Sequence, residues 1–261
     1  MQEFQLLLLF VEMDNFHRLR RYERIENAQR LLRPVRNYVD PFNYFDDTNF
    51  YCNCRFTPAE VFEITRRIEV DVAPRGDRGR PIPTEQRVLL FLYFVSSDSF
   101  QRVCGHFPHV ATASMCRMIK LVAIGLTRLR EAIIHFPRDT LAEVARFREI
   151  ANFPNVVGAI DCTHVRIPCP CIEEGQRYAN RKGFYSLNVQ VVATSQLRIA
   201  NIVARWPGST HDSRIFGESR VCREMQQGRF RGYHLLGDGG YPIKPYLMTP
   251  LLDLLSIISN S

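Results

Sequence analysis

Three acidic residues in the second half of this chain stand where a carboxylate can do chemistry: Asp161 in Val-Val-Gly-Ala-Ile-Asp-Cys-Thr-His, Asp212 in Pro-Gly-Ser-Thr-His-Asp-Ser-Arg and Asp238 in His-Leu-Leu-Gly-Asp-Gly-Gly-Tyr. Each sits at the end of an apolar or turn-rich segment. The run Val156 to Ile160 reads as a buried strand, so a carboxylate at its exit is expected at the sheet edge on a rigid support. Hard Mg²⁺ or Mn²⁺ prefers such oxygen donors, and acids grouped in this way are the pattern of a metal-dependent site that cleaves phosphodiesters. Taken singly, the three have plainer readings. Asp161 suits a strand-end turn bonding to the following amides, and Asp238 a turn initiator before Gly239 and Gly240. Asp212 suits the N-cap of a helix beginning at Ser213.

His164 and His211 flank these acids, where an imidazole donates to a phosphate or orients a carboxylate; a lone histidine is more often a packed polar residue. Arg181, Lys182 and Arg214 supply positive charge beside the acids and are the candidates for gripping a nucleic-acid backbone, against a plain reading as surface charge.

The elements that must position these residues follow from periodicity. Val156 to Ile167, Phe184 to Thr194, Arg198 to Trp206 and Tyr233 to Asp238 read as four strands, with a helix from about Ser213 between the last two. If the first and fourth pair, Asp161 and Asp238 approach closely enough to share two metal ions about 3.5 to 4 Å apart. Upstream the pattern is helical. Thr-Pro-Ala-Glu places an N-cap at Thr57, a first-turn proline and a capping-box Glu60 in order, and Val61, Ile64 and Ile68 follow with helical spacing. Ala73 to Pro83, with Arg75, Arg78 and Arg80, reads as a basic loop. A second helix begins at Thr84 and runs through Val88, Leu89, Leu92 and Val95. A short helix near Phe100 to Gly105, a turn through His106-Phe107-Pro108 and a long helix from Thr112 to Ile134 have the lengths of a helix-turn-helix. Ser114, Arg117 and Lys120 on its second helix are then the candidates for DNA contact, although any three-helix bundle shows such a turn. A last helix spans Leu141 to Ile150.

The 261 residues bury a full-sized core. A formal net charge of +7 and a pI near 9.1 favour a polyanionic partner. The eight cysteines form no zinc framework, since Cys52 and Cys54, like Cys169 and Cys171, have one intervening residue where structural zinc sites use about two to four; reduced thiols in an intracellular protein are expected. The apolar run Leu6 to Val11 is far short of the roughly 18 residues of a membrane span. The cluster His17-Arg18-Leu19-Arg20-Arg21 reads as a solvated helix face, or else as a phosphate contact or nuclear address.

Four stretches together carry a family likeness: Gly158-Ala159-Ile160-Asp161-Cys162-Thr163-His164-Val165, Asn180-Arg181-Lys182-Gly183-Phe184-Tyr185-Ser186-Leu187-Asn188, Trp206-Pro207-Gly208-Ser209-Thr210-His211-Asp212-Ser213-Arg214 and Leu235-Leu236-Gly237-Asp238-Gly239-Gly240-Tyr241-Pro242. In this order they resemble the Harbinger transposase-derived nucleases and the PIF/Harbinger transposases, over about Phe56 to Pro250. The resemblance implies a mixed α/β (α+β) fold, with a helical, helix-turn-helix-like DNA-binding region over 56–150 and an RNase H-like DDE endonuclease domain over 151–261, incomplete at its C-terminus; the mixed segment over 1–55 reads as an N-terminal arm. It implies Asp161, Asp212 and Asp238 as ligands of a divalent metal cation (Mg²⁺ or Mn²⁺), DNA as substrate, a Myb-like DNA-binding partner protein, and a distribution between nucleus and cytoplasm. It also implies a closing Glu from a later helix, and nothing after Pro250 matches that segment. The expectation is a C-terminally truncated nuclease, with a catalytically impaired DNA-binding or scaffold protein as the alternative. A metal-dependent phosphatase gives no reason for the helical region.

Overall fold

A computed structural model describes residues 42, 46–74, 76, 81–96, 110, 112–170 and 175–250. Its contacts divide the chain into two units, one ending at Arg130 and one beginning at Glu131.

In the first unit, helices begin where local chemistry dictates. Asp46 caps α1 (Asp47–Cys54) by accepting from the Asn49 amide at 2.8 Å. Thr57 and Glu60 form the capping box of α2 (Pro58–Val72): the Glu60 amide donates to Thr57 Oγ1 and the Thr57 amide to Glu60 Oε2. Val61, Ile68 and Val72 line its buried side. In α3 (Thr84–Ser96) every side chain from Val88 to Tyr93 is buried. A helix apolar on all faces belongs at a centre, and α3 packs against α1, α2 and α4 (Thr112–Arg128). The helix expected over Thr112 to Ile134 is in fact two, because a turn at Leu129, whose amide donates to the Leu126 carbonyl, separates α4 from the single turn α5 (Arg130–Ile133). The three arginines of the basic loop, the short helix and turn expected over 100–108, and the Arg18 to Arg21 cluster lie outside the described residues.

The second unit holds α6 (Thr140–Ala151), capped by Asp139 and closed by Asn152 in the left-handed region, and then β1 (Val156–Arg166), the single turn α7 (Gly175–Tyr178), β2 (Ser186–Ala193), β3 (Ile199–Pro207), α8 (Asp212–Gly217), α9 (Arg220–Gln226), β4 (His234–Leu236) and β5 (Leu247–Met248). The five strands form one mixed sheet in the order β3-β2-β1-β4-β5. β1, β2 and β3 run antiparallel, while β4 lies parallel to β1 and β5 parallel to β4. β1 changes partner along its length: Val156 to Ala159 pair with β4, and Ala159 to Arg166 pair with β2. Phe216 from α8 and Val221 and Met225 from α9 pack with Ile160, Val192, Leu235 and Tyr241 in the main core of this unit. Burying a side chain such as Phe216 or Leu235 contributes about 1.5 to 3 kcal/mol. That burial clamps β1, β4 and α8, the three elements that carry or adjoin the acids.

Candidate active site

Asp161 does not stand at the exit of its strand. It lies within β1, level with Val191 of β2; the apolar run to Ile160 ends there, but the hydrogen-bonded ladder continues to Arg166 because β2 supplies partners for it. β4 stops at Leu236, paired with Ala159, so continuing the register by two residues sets Asp238 level with Asp161. Asp238 itself lies beyond the strand and accepts the Gly240 amide at 3.0 Å, the turn contact its Gly-Gly sequel suggests.

Asp212 is not a helix cap. His211, in extended conformation, occupies that position without a side-chain capping bond, and Asp212 begins α8 proper. Its Oδ1 instead accepts from Asn188 Nδ2 at 2.8 Å, and the same amide donates to the Thr210 carbonyl at 2.8 Å. Asn188 therefore fastens the Thr210–Asp212 segment to β2. It is buried, and it lies in one of the four motif stretches.

Two of the three carboxylates border one space, and the third lies within reach of their charge. A Cβ placed on Gly240 would lie 3.1 Å from Asp238 Oδ1 and 3.2 Å from Asp212 Oδ2, so the missing side chain leaves a space bordered by two acids. Although Asp161 reaches solvent, its carboxyl is partly enclosed; burial raises its pKa above the ordinary value, and the charges of Asp238 and Asp212 raise it further against the lowering bond from the Cys162 amide at 2.7 Å. Behind the acids, Cys162 Sγ lies 3.1 Å from the buried Tyr241 hydroxyl. Burial first, with the Asp212 and Asp161 charges adding to it, pushes the Cys162 thiol well above its usual range, which leaves it a neutral packing group rather than a thiolate.

These donors suit a hard cation. They are oxygen-only, they repel one another, and a cation between them relieves that repulsion. Among the described residues no group of three His, Cys, Asp or Glu side chains closes to a ready metal site; Asp212 and Asp238 border the Gly240 space, and Asp161 adds its charge.

The basic candidates separate. Arg181 and Lys182 are exposed on the turn before β2, shaped by Asn180, whose Oδ1 accepts the Lys182 amide at 2.9 Å and the Phe184 amide at 3.3 Å. Arg214 is exposed on α8, its guanidinium 5.4 Å from the Trp206 ring centre and its Nε 3.3 Å from Glu218. Arg205 also lies 5.4 Å from that ring, so the lone tryptophan is flanked by two cations. Arg117 and Lys120 are exposed one turn apart on α4 in the other unit, with Arg117 Nη2 3.4 Å from Ser114 Oγ.

Residues 160–254 match the family described as DDE superfamily endonuclease, so the sheet-bearing unit carries a domain of that class. Rat "Putative nuclease HARBI1" is 31% identical over 218 residues, covering 82% of this chain and 62% of that protein; the human protein of the same name matches at the same identity and coverage. "Protein ALP1-like" of Arabidopsis thaliana is 28% identical over 189 residues, covering 66% of this chain and 46% of that protein. The chain carries a DDE superfamily endonuclease domain and is similar to Harbinger transposase-derived nucleases over most of its length, and its matched part spans about three-fifths of the length of the rat and human relatives. No solved structure matches it.

Proposed function

We propose that the sheet-bearing unit is an RNase H-like nuclease that hydrolyses DNA phosphodiester bonds with a divalent cation, Mg²⁺ or Mn²⁺, held by Asp161, Asp212 and Asp238. The observation that carries this reading is that motif acids 51 and 26 residues apart in sequence come together, Asp212 and Asp238 beside the Gly240 space and Asp161 within reach of their charge. DDE superfamily endonucleases generally use divalent cations, which supply positive charge against the charge developing on the phosphate and lower the pKa of attacking water. The chain's own residues do the rest. Asn188 holds Asp212 in place, Arg181 and Lys182 offer charge to the DNA backbone, and Arg214 stacks on Trp206 at the same end of α8 as Asp212.

The helical unit supplies a helix-turn-helix-like contact to DNA through Arg117 and Lys120 in this reading. A Myb-like partner protein and a distribution between nucleus and cytoplasm complete it, on the strength of the family alone.

The test is Mn²⁺ calorimetry and cleavage of a labelled duplex by the full chain, beside Asp161→Ala and Asp238→Ala. Even an outer partner of a metal ligand is worth about 10- to 100-fold, so each variant is expected to lose more than about 100-fold in cleavage while remaining folded by circular dichroism. A folded wild-type chain that neither binds Mn²⁺ nor cuts DNA would overturn the reading, and retained DNA binding in that case would make it a scaffold.

A further inference from the structure

His164, three residues beyond Asp161, is held by a hydrogen-bond chain that fixes which ring nitrogen carries its proton. Asn180 Oδ1 accepts two backbone amides, from Lys182 and Phe184, so the orientation of that side-chain amide is set. Its Nδ2 therefore donates to Ser186 Oγ at 3.1 Å. Ser186 is fully buried, and its hydroxyl proton needs an acceptor; the neighbour that remains is His164 Nδ1, at 3.1 Å. Nδ1 is then unprotonated and the ring proton sits on Nε2.

Three of the four motif stretches are built around this chain. The backbone carbonyl of Ser186 accepts the Gly208 amide at 2.8 Å. A Cβ on Gly208 would overlap Ser186 Oγ and come within 2.6 Å of the Tyr178 carbonyl oxygen, so glycine is required for the loop to approach so closely. Buried scaffolding of this kind has a cost, and a histidine present only for packing gives no reason to lock one nitrogen this way while Nε2 makes no hydrogen bond among the described residues.

The position of the ring supplies the reason. His164 pairs across the ladder with Asn188, which puts their side chains on one face about 4.5 to 5.5 Å apart at Cβ, and Asn188 holds Asp212. The ring feels the charges of Asp212, Lys182 and Arg181, so it lies within reach of one of the acids and of the basic turn.

We propose that His164 is a phosphate-contacting residue of this site, whose Nε2–H donates to a non-bridging oxygen of the DNA phosphodiester, with Ser186 and Asn180 as positioning residues that fix its tautomer. The inference rests on the nuclease reading and adds the group that orients the phosphate. Burial keeps the imidazole below its usual pKa, consistent with a neutral donor.

The experiment uses the full chain labelled with ¹⁵N-histidine, with His164→Gln assigning the His164 signals, titrated with a short duplex in Ca²⁺ so that DNA is bound without turnover. The expected result is an Nε2–H tautomer whose Nε2 resonance moves on DNA addition, and a tautomer mixture in Ser186→Ala. A hydrogen bond to a charged group is worth enough that His164→Ala should weaken DNA affinity about tenfold or more. His164→Gln, whose amide nitrogen reaches the place of Nε2, should retain more of the affinity. An Nδ1–H tautomer, or an unmoved Nε2 together with wild-type affinity in His164→Ala, overturns the proposal. If the wild type cuts DNA and His164→Ala binds and cuts equally well, this inference alone falls; if the wild type neither binds nor cuts DNA, the nuclease reading falls with it.

Discussion

The two units treat buried polar groups differently. In the helical unit the buried polar groups of side chains among the described residues are few, Thr65, Thr84 and the Tyr93 hydroxyl, and Thr65 satisfies itself by donating to the Val61 carbonyl of its own helix. The sheet-bearing unit buries Glu143, Asn180, Ser186, Asn188, Gln190, Thr194, Ser219 and His234. Several of its buried atoms, Asn188 Oδ1, both amide atoms of Gln190, Trp206 Nε1 and His234 Nε2, find no partner among the described residues. Unpaired buried polar atoms are destabilising. The difference teaches where stability has been exchanged for placement: α3 is surrounded by apolar contacts, whereas β2 carries Ser186, Asn188 and Gln190 on one face, two of which hold His164 and Asp212.

The comparison is most easily broken in the helical unit. Phe91→Ala removes a fully enclosed ring from α3 and should cost about 3 to 5 kcal/mol, read as a shift in the urea midpoint. A cost near zero would mean that α3 is not the centre of its unit. In the sheet the opposite sign is expected. Gln190→Met keeps the volume and removes two unpartnered atoms, so unfolding should show a gain of about 1 kcal/mol; a loss instead would show that the amide has a partner, water included, and would narrow the contrast. The smallest effect is on pH. Burial holds His234 below its ordinary pKa of 6.5, so the folded state takes up its proton less readily than the unfolded chain. The stability contributed is complete above about pH 6.5 and is lost as pH falls toward the folded-state value. Thermal melts at pH 7.5 and pH 5 should diverge, and His234→Gln should reduce that divergence; an equal drop in the variant would assign the acid sensitivity to other groups.

What was legible in the sequence was local. Thr57, Pro58 and Glu60 announce α2 because a capping box spans four residues, and β1, β2 and β3 follow from apolar runs of strand length. The full burial of Val88 to Tyr93 was not legible, since it depends on which helices surround α3. Asp161 was read both at the exit of the apolar run ending at Ile160 and inside a strand over Val156 to Ile167; the second holds, because the ladder depends on a partner strand some thirty residues away. Asp212 looked like a cap because its neighbours suit one; its actual bond is to Asn188, 24 residues earlier. Asn188, Ser186 and Asn180 all stood inside motif stretches, but their work is visible only when β1, β2 and the Gly208 loop are brought together. β5 had no apolar run long enough to announce it.

The change of partner along β1 has a mechanical meaning. Asp161 is levelled against β2, and Asp212 is pinned to the same strand through Asn188, so these two acids share one datum. Asp238 is referred to β4, and β4 is joined to β1 only over Val156 to Ala159, a short lap joint rather than a full seam. The spacing of Asp161 and Asp212 is therefore the stiff dimension of the site. The distance from either of them to Asp238 is the compliant one, set by how far that joint yields.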